Sequence, residues 1–263
     1  MDTPRELTTL ALGVSLAALS FSCTNSTEPE TAQQFQTESR NSGETPLSGA
    51  KVIVIKNLIG PVIIAGEDSA QNIRTFIDEI VTTTGQPASS ADIGAVQLVT
   101  SLQADSLIFT LSVSSFSQGT NASALLSVGV PPQIPCVVEI SDQVNTSDLM
   151  APLTISTLGD VTILRQSGAC VVASATGTIN AQIDPGDSAT CALATGSGNI
   201  TLLLPSTTSA QVVCTSGKGT IATSGLVFTG IQQTSTSFLG TLGSGAAHVR
   251  LATGSGNILV QSF

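Results

Sequence analysis

The octapeptide Leu-Ala-Thr-Gly-Ser-Gly-Asn-Ile occurs twice, at Leu193–Ile200 and again at Leu251–Ile258. Shorter related segments stand at Ala175–Ile179 and at Ser216–Ile221. Every copy has a glycine two residues before its isoleucine, and the steps between these glycines are 21, 21 and 37 residues: Gly177, Gly198, Gly219 and Gly256. A spacing of about 20 residues is typical of a repeat architecture.

Apolar residues alternate with other residues on both sides of the repeated glycine. This period of two is that of a β-strand, and glycine permits the sharp turn between two strands. Two positions define the pattern, five residues before and two residues after the glycine: Val172, Leu193, Cys214 and Leu251; Ile179, Ile200, Ile221 and Ile258. One unit cannot bury its own apolar face, so successive units are expected to stack in sequence order. We therefore predict an all-β, coiled β-solenoid with Gly-hinged repeats of about 21 residues and no large helical domain.

The last step of 37 residues predicts an excursion between about Thr223 and Ala246. Its polar stretch, Gln232–Ser237, predicts a loop.

The composition supports an all-β protein and bears on its partners. Charged residues make up only 10% of the 263 residues, and the formal net charge is −10. Such a charge disfavours nonspecific binding to nucleic acid. The chain has no Trp and no Tyr, the residues on which sugar platforms and interface hot spots usually depend. This absence argues against a conventional lectin.

The N-terminus resembles an export signal. An apolar run from Leu7 to Phe21 follows Arg5 and is too short to span a bilayer comfortably. Ser22-Cys23 resembles the lipobox of bacterial lipoproteins, so residues 1–22 are predicted as a signal peptide and Cys23 as the lipidation site. Secretion with cleavage near Cys23, or an uncleaved start, are the alternatives.

The next segment, residues 23–49, is predicted to be a disordered tether because it is poor in large apolar residues. The folded β-rich domain is predicted over residues 50–263, with the repeats clearest from 152 to 263. The segment Ile73–Thr83 is compatible with a strand or a helix. Short strands are predicted elsewhere in an N-terminal β portion: Val52–Ile55, Val62–Ala65, Ala95–Thr100, Leu107–Val113, Ala124–Val130 and Val137–Ile140.

Three segments together resemble a known family: Leu58–Gly66, Ser127–Pro131 and the C-terminal series of Gly-Ser-Gly turns. This pattern is similar to the bacterial "putative adhesin" family, a domain-of-unknown-function family related to head GIN domain proteins and often found on exported lipoproteins. The resemblance covers about Lys51–Phe263. It implies a surface or periplasmic β-rich module and transfers no catalytic residues. The chain departs from the family at its Gly-Asp turns, where only Asp160 is acidic and Asn or Thr replaces the others.

The cysteines beyond Cys23 allow two readings. Cys170 and Cys191 occupy equivalent positions of adjacent units, and neighbouring strands lie about 4.8 Å apart, which permits a disulfide. The alternative is that both are small buried residues in an apolar column. Cys-x-x-Cys spacing is absent and His248 is the only histidine, so no metal site is predicted.

Other polar residues give no catalytic pattern. His248 alternates with inward Val249 and is predicted to face solvent. Asp160 and the segment Asp184–Asp187 lie at predicted turns, with a spacing that fits neither an EF-hand nor the glycine/aspartate-rich calcium β-roll repeat. Lys218 lies in a turn with no helix after it, unlike a phosphate-binding loop. The sequence predicts neither catalytic residues nor cofactors.

Three functional hypotheses follow. The first is a non-enzymatic, lipid-anchored protein of the cell envelope, an outer-membrane lipoprotein that faces the periplasm or the surface. Its flat faces, lined by Thr, Ser and Asn, would bind a protein or glycan ligand, and self-association is possible through an exposed end. The second is a β-helix carbohydrate-active enzyme, which would need charged side chains converging in one groove. The third is a passive structural module of the envelope.

Overall fold

The computed structural model describes residues 34–57, 60–68, 72–86, 88–89, 92–113 and 120–263. These residues form strands, turns and connecting segments without any helix, so the predicted all-β class is confirmed. Because the described part contains no helix, none is long and apolar enough to cross a membrane. The predicted signal peptide, with Cys23, lies outside the described residues.

Twenty-one strands are described, and they are numbered in chain order. The strands are β1 (Gln34–Pro46), β2 (Val52–Asn57), β3 (Val62–Gly66), β4 (Asn72–Thr84), β5 (Val96–Gln103), β6 (Ser106–Val113), β7 (Thr120–Val130), β8 (Cys136–Ile140), β9 (Val144–Ser147), β10 (Leu153–Thr157), β11 (Val161–Ser167), β12 (Cys170–Ser174), β13 (Ile179–Asp184), β14 (Thr190–Ser197), β15 (Ile200–Leu204), β16 (Ala210–Ser216), β17 (Ile221–Ser224), β18 (Thr229–Gln233), β19 (Ser237–Leu242), β20 (Ala247–Ser255) and β21 (Ile258–Ser262).

The strands form two long sheets that pack face to face. Sheet I has the order β1-β4-β7-β3-β9-β11-β13-β15-β21-β17. Sheet II has the order β18-β19-β16-β20-β14-β12-β10-β8-β2-β6-β5. Pairing along the middle of both sheets is parallel, because the chain alternates between the sheets and returns to each in the same direction. Each pair of consecutive strands, one per sheet, is one coil of the solenoid.

The spatial order of the coils differs from their order in the sequence. In space they run β6–β7, β2–β3, β8–β9, β10–β11, β12–β13, β14–β15, β20–β21 and β16–β17. The first and last coils of the sequence, β2–β3 and β20–β21, therefore each lie one position in from an end. The expectation that successive repeats stack in sequence order is wrong for β16–β17. The reason is that β20–β21 inserts between β14–β15 and β16–β17.

The predicted interior columns are confirmed despite this change of order. Val172 pairs with Leu193, Leu193 with Leu251, and Leu251 with Cys214, all at 0–1% exposure. Ile179, Ile200, Ile258 and Ile221 form the matching column of sheet I. The coil stack also extends into the predicted N-terminal β portion, since β2–β3 and β6–β7 continue the same two sheets.

Two segments near the chain ends form strands that the sequence did not predict. The predicted tether contains β1, which pairs with all thirteen residues of β4, from Gln34 with Thr84 to Pro46 with Asn72. Main-chain hydrogen bonds hold such an edge strand and require no large apolar side chains. The excursion after Thr223 forms the β18–β19 hairpin, so the predicted loop Gln232–Ser237 is reduced to its turn. The ambiguous segment Ile73–Thr83 is a strand, within β4.

The repeated glycines allow the turns of neighbouring coils to touch. A Cβ atom on Gly177 would overlap the carbonyl group of Gly159 in the preceding coil, and one on Gly198 would overlap that of Gly177. Gly198 also has a φ of 150°, which disfavours any other residue. The turns are therefore stacked at a distance that only glycine permits.

We expect Gly177→Ala to lower the free energy of unfolding by about 3 kcal/mol, because the new methyl group must displace a packed turn. The matched control is Gly186→Ala. Gly186 has a φ of 62° but no atom within 4 Å of the added Cβ. Gly186→Ala should lower the free energy of unfolding by about 1 kcal/mol, because only the left-handed backbone conformation disfavours alanine there. Urea unfolding measures both, and an equal effect of the two changes would contradict the stacked-turn explanation.

Candidate interaction surfaces

The outer face of sheet I carries a row of polar side chains across four adjacent coils. Asn145 pairs with Thr162, Thr162 with Asn180, and Asn180 with Thr201. Adjacent members are therefore one strand spacing apart, about 4.8 Å. All four are exposed or half-buried. We call Asn145, Thr162, Asn180 and Thr201 the polar row.

Three members of the polar row are free to bind something else. Thr162, Asn180 and Thr201 make no side-chain hydrogen bond to the described residues, whereas Asn145 accepts one from Gln143 at 3.3 Å. The row thus offers hydroxyl and amide groups on a flat surface. Its donors and acceptors suit a polar ligand.

The outer face of sheet II is different. Its middle carries small apolar residues in two adjacent columns: Val171, Ala173, Ala192, Ala194 and Ala252. Val171 is 44% exposed. The expectation that both faces are lined by Thr, Ser and Asn is therefore wrong for this face, because the alternation that points Cys and Leu inward leaves Ala and Val outside.

The hydroxyl groups at the inner strand ends have a structural role. Ser174 donates to the carbonyl of Gly159 and Thr195 to that of Gly177, both at 2.8 Å. Thr253 donates to Gly198 and Ser216 to Gly256, both at 2.9 Å. Thr157 donates to Asp142 in the same way. We call these five buried hydroxyls the hydroxyl ladder, and each joins one coil to the turn of its neighbour.

The turn residues after the glycines join the coils in a second way. Asp160 Oδ1 accepts the amide of Thr178 at 2.7 Å, and Asn199 Oδ1 accepts that of Asn257 at 2.8 Å. Asn257 Oδ1 accepts the amide of Thr220 at 2.9 Å. An amide oxygen serves here as well as a carboxylate, which explains why Asn replaces Asp in this chain. Asp160 is thus occupied by a main-chain contact.

The four described cysteines are buried thiols in sheet II. Cys170 and Cys191 pair directly across β12 and β14, as the repeat register predicted. Both are free, and Cys191 donates a weak hydrogen bond to the carbonyl of Gly168 at 3.5 Å. Burial raises the pKa of Cys191 to about 11 and that of Cys136 and Cys214 to about 12. The disulfide between Cys170 and Cys191 stays a prediction.

Several charged side chains in the described part of the chain are engaged in ion pairs or local contacts, as Arg74 is with Glu44 and Glu67. His248 is exposed, as predicted, and Asp184 accepts the amide of Gly186 within its own turn at 3.1 Å. Arg165 binds Asp148 through two nitrogens, at 2.5 and 2.6 Å, and this contact holds the pKa of Asp148 below its usual value. Within the described ranges, no three His, Cys, Asp or Glu side chains are grouped as metal ligands.

A cavity of about 430 Å³ lies at the N-terminal end of the stack, where sequence reasoning predicted no site. It opens between β1, β4 and β5. The start of β5 is held there by Glu79, a fully buried carboxylate on β4 that accepts the amides of Gly94 at 2.7 Å and Val96 at 3.3 Å. The sequence signal was weak, because one polar residue in an apolar strand is also compatible with an exposed position.

The family model described as Toastrack DUF4097 matches residues 141–261. The matched segment, less than half of the chain, is similar to this family. The matched segment includes β9 to β21 and therefore the polar row, the hydroxyl ladder and Cys170, Cys191 and Cys214. The predicted resemblance to an adhesin-like domain-of-unknown-function family is confirmed. No curated protein matches the chain at a significant level.

Two solved structures align with most of this chain. A "putative cell adhesion protein" from Clostridium sporogenes aligns with a TM-score of 0.51 and 11% identity, over 86% of this chain and 100% of that one. A "putative adhesin" from Bacteroides fragilis aligns with a TM-score of 0.31 and 10% identity, over 86% and 97%. At such identities the first likeness concerns the fold alone.

We expect the four buried thiols to resist Ellman's reagent in the native protein at pH 8 and to react after unfolding. With a pKa of about 11, only about one Cys191 thiol in a thousand is ionised at that pH. Ala194→Cys, on the exposed face of the same strand, is the control and should react quickly. Alkylation in denaturant, with and without reductant, then counts the thiols by mass. If two fewer thiols are alkylated without reductant than with it, the protein contains a disulfide.

Proposed function

We propose that the protein is a non-enzymatic, exported lipoprotein of the cell envelope. In this proposal Cys23 carries the lipid that attaches it to the outer membrane, and the β-solenoid presents an interaction or adhesion surface. The polar row is the part of that surface that contacts the ligand, a protein or a glycan. Nucleic acid is not a partner, because the net charge of −10 repels phosphate.

The observation that carries this proposal is the polar row itself. Stacked parallel strands fix Thr162, Asn180 and Thr201 in a line, and their side chains make no hydrogen bond to other described residues. A rigid support lowers the entropy lost when such groups bind a ligand. Hydroxyls and amides that serve the fold are instead buried, as in the hydroxyl ladder, or bonded to the next turn, as at Asn199. This division separates the structural polar residues from those available to a partner.

The lining of two surface cavities favours binding over the alternative of a carbohydrate-active enzyme. The cavity of about 430 Å³ and a second one of about 390 Å³, near β16, β18 and β19, are lined by neutral residues. Glycoside cleavage uses a pair of carboxyl groups flanking the scissile bond. Buried thiols with raised pKa are also poor nucleophiles.

The Clostridium sporogenes structure is that of a "putative cell adhesion protein", which agrees with an adhesion role. The lipobox-like Ser22-Cys23 supports export and anchoring. Residues 24–33 would then connect the lipidated cysteine to β1, the first described strand. This arrangement would hold the coil stack a short distance from the membrane and leave the outer face of sheet I accessible.

We expect the lipid anchor to depend on Cys23. Cys23→Ala should move the protein from the membrane fraction to the soluble fraction, because a protein without its acyl chains has no hydrophobic anchor. Cys136→Ala is the control, since Cys136 is buried in the fold and should leave the distribution unchanged. Intact-mass analysis of the membrane fraction should show a diacylglyceryl-modified N-terminal cysteine. An unmodified chain that begins elsewhere would refute the anchor.

We expect the double variant Thr162→Arg/Asn180→Arg to reduce ligand recovery about tenfold in a crosslinked pull-down from intact envelope, a loss of about 1.4 kcal/mol in binding. Two bulky charges would cover the middle of the polar row. The matched control is Thr154→Arg/Val171→Arg, a directly paired couple on the opposite face.

Recovery that falls only in the control would move the binding surface to sheet II. Specific partners that are retained equally by both variants would refute the polar row as the contact surface. If neither variant nor the parent recovers a partner above background, the passive structural module becomes the better explanation.

A further inference from the structure

The two sheets end unevenly at the N-terminal end of the stack. Beyond the β6–β7 coil, sheet I continues with two strands, β4 and β1, whereas sheet II continues with β5 alone. β4 faces β5, as the contacts of Glu79 with Gly94 and Val96 show. No strand of sheet II in the described part of the chain therefore covers the inner face of β1.

The cavity of about 430 Å³ lies at this uncovered position. Gly43 of β1 and Thr75 of β4 contribute to its floor, and Val96, Gln97 and Leu98 of β5 form its wall. Consecutive residues of a strand point to opposite faces, so a wall that includes all three is the main-chain edge of β5. That edge is the last of sheet II and is hydrogen-bonded on its other side to β6.

The outer edge of β5 is regular and fixed in position, so a further strand could pair with it. Glu79 fixes the start of β5, and the antiparallel pairing with β6 runs without a bulge from Val96–Val113 to Gln103–Ser106. A straight, fixed edge loses little entropy when another strand pairs with it. Leu102 is 49% exposed although it pairs with buried Leu107 on the inner face of sheet II. An added strand would cover it.

We call this cavity, together with the outer edge of β5, the slot. We propose that the slot binds an extended segment of a partner polypeptide, which pairs with β5 as the next strand of sheet II. Alternate side chains of the segment enter the slot between Leu98 and the inner face of β1, where Gly43 has no side chain of its own. The lining is apolar at Ile77, Val96 and Leu98 and polar at Asn41, Thr75 and Thr100, so these positions favour small uncharged residues. The net charge of −10 favours a segment that is neutral or basic. The inference is independent of the polar row, which lies elsewhere on the stack.

The test uses a random twelve-residue peptide library displayed on phage and selected on the full mature protein. We expect enriched peptides in which every second residue is small and uncharged, and we expect Thr100→Trp to weaken their binding at least tenfold. Thr100 is exposed and lines the slot. Val99→Trp, the adjacent exposed residue on the opposite face of β5, is the matched control and should change binding less than twofold.

Main-chain pairing has its own signature. N-methylation of every second residue of an enriched peptide should abolish binding in one register and leave it intact in the other, because an added strand points alternate amides at its neighbour. Thr162→Arg/Asn180→Arg should leave peptide binding unchanged, so this test and that of the polar row can fail separately.

Several outcomes would overturn the proposal. They are the absence of enriched peptides, enriched peptides that bind the Thr100→Trp variant equally well, and equal loss in both N-methyl registers. Sedimentation would reveal a further one. If the parent forms dimers that Thr100→Trp dissociates, the occupant of the slot is a second copy of this chain and not a partner segment.

Discussion

The contact between stacked glycine turns governs the rest of the structure. The turn at Gly177 touches that at Gly159, and the turn at Gly198 touches that at Gly177, at distances where a single Cβ atom would overlap main-chain atoms. This contact fixes the spacing and phase of the coils. Once the turns are in phase, equivalent strand positions must coincide, and the aliphatic columns on the inner faces follow. The continuous core is therefore as much a consequence of turn geometry as of hydrophobic burial.

Polar groups make this phase specific. Each rung of the hydroxyl ladder contributes about 1 kcal/mol net, but a shift of one residue would leave a buried hydroxyl and a turn carbonyl unpaired at a larger cost. The Asp160 and Asn199 contacts add a second set of coil-to-coil bonds at the surface. The repeats thus use their Ser, Thr and Asn residues mainly to select one register. The polar row stands out because its side chains have no such duty.

The repeat period was enough to predict the class of fold and the interior columns, because a period of two and a fixed turn leave few ways to bury the apolar positions. The coil order was not predictable from spacing alone, although the two identical octapeptides do lie on adjacent coils. Strand β1 was missed because its stability comes from pairing with β4 and not from composition. The slot was missed as well, because β1 forms one of its sides. The repeat register alone was enough to place His248 and the buried cysteines of the repeats correctly.

The insertion of β20–β21 between two coils that precede it in the sequence has a consequence for biosynthesis. A ribosome completes β16–β17 before the residues from Ala247 onward exist, so these strands cannot yet have their final neighbour. Until β20 and β21 have been synthesised, the edges of β14 and β15 that they cover lack their native partners. The nascent protein therefore exposes strand edges that can pair with other chains until these two strands are in place.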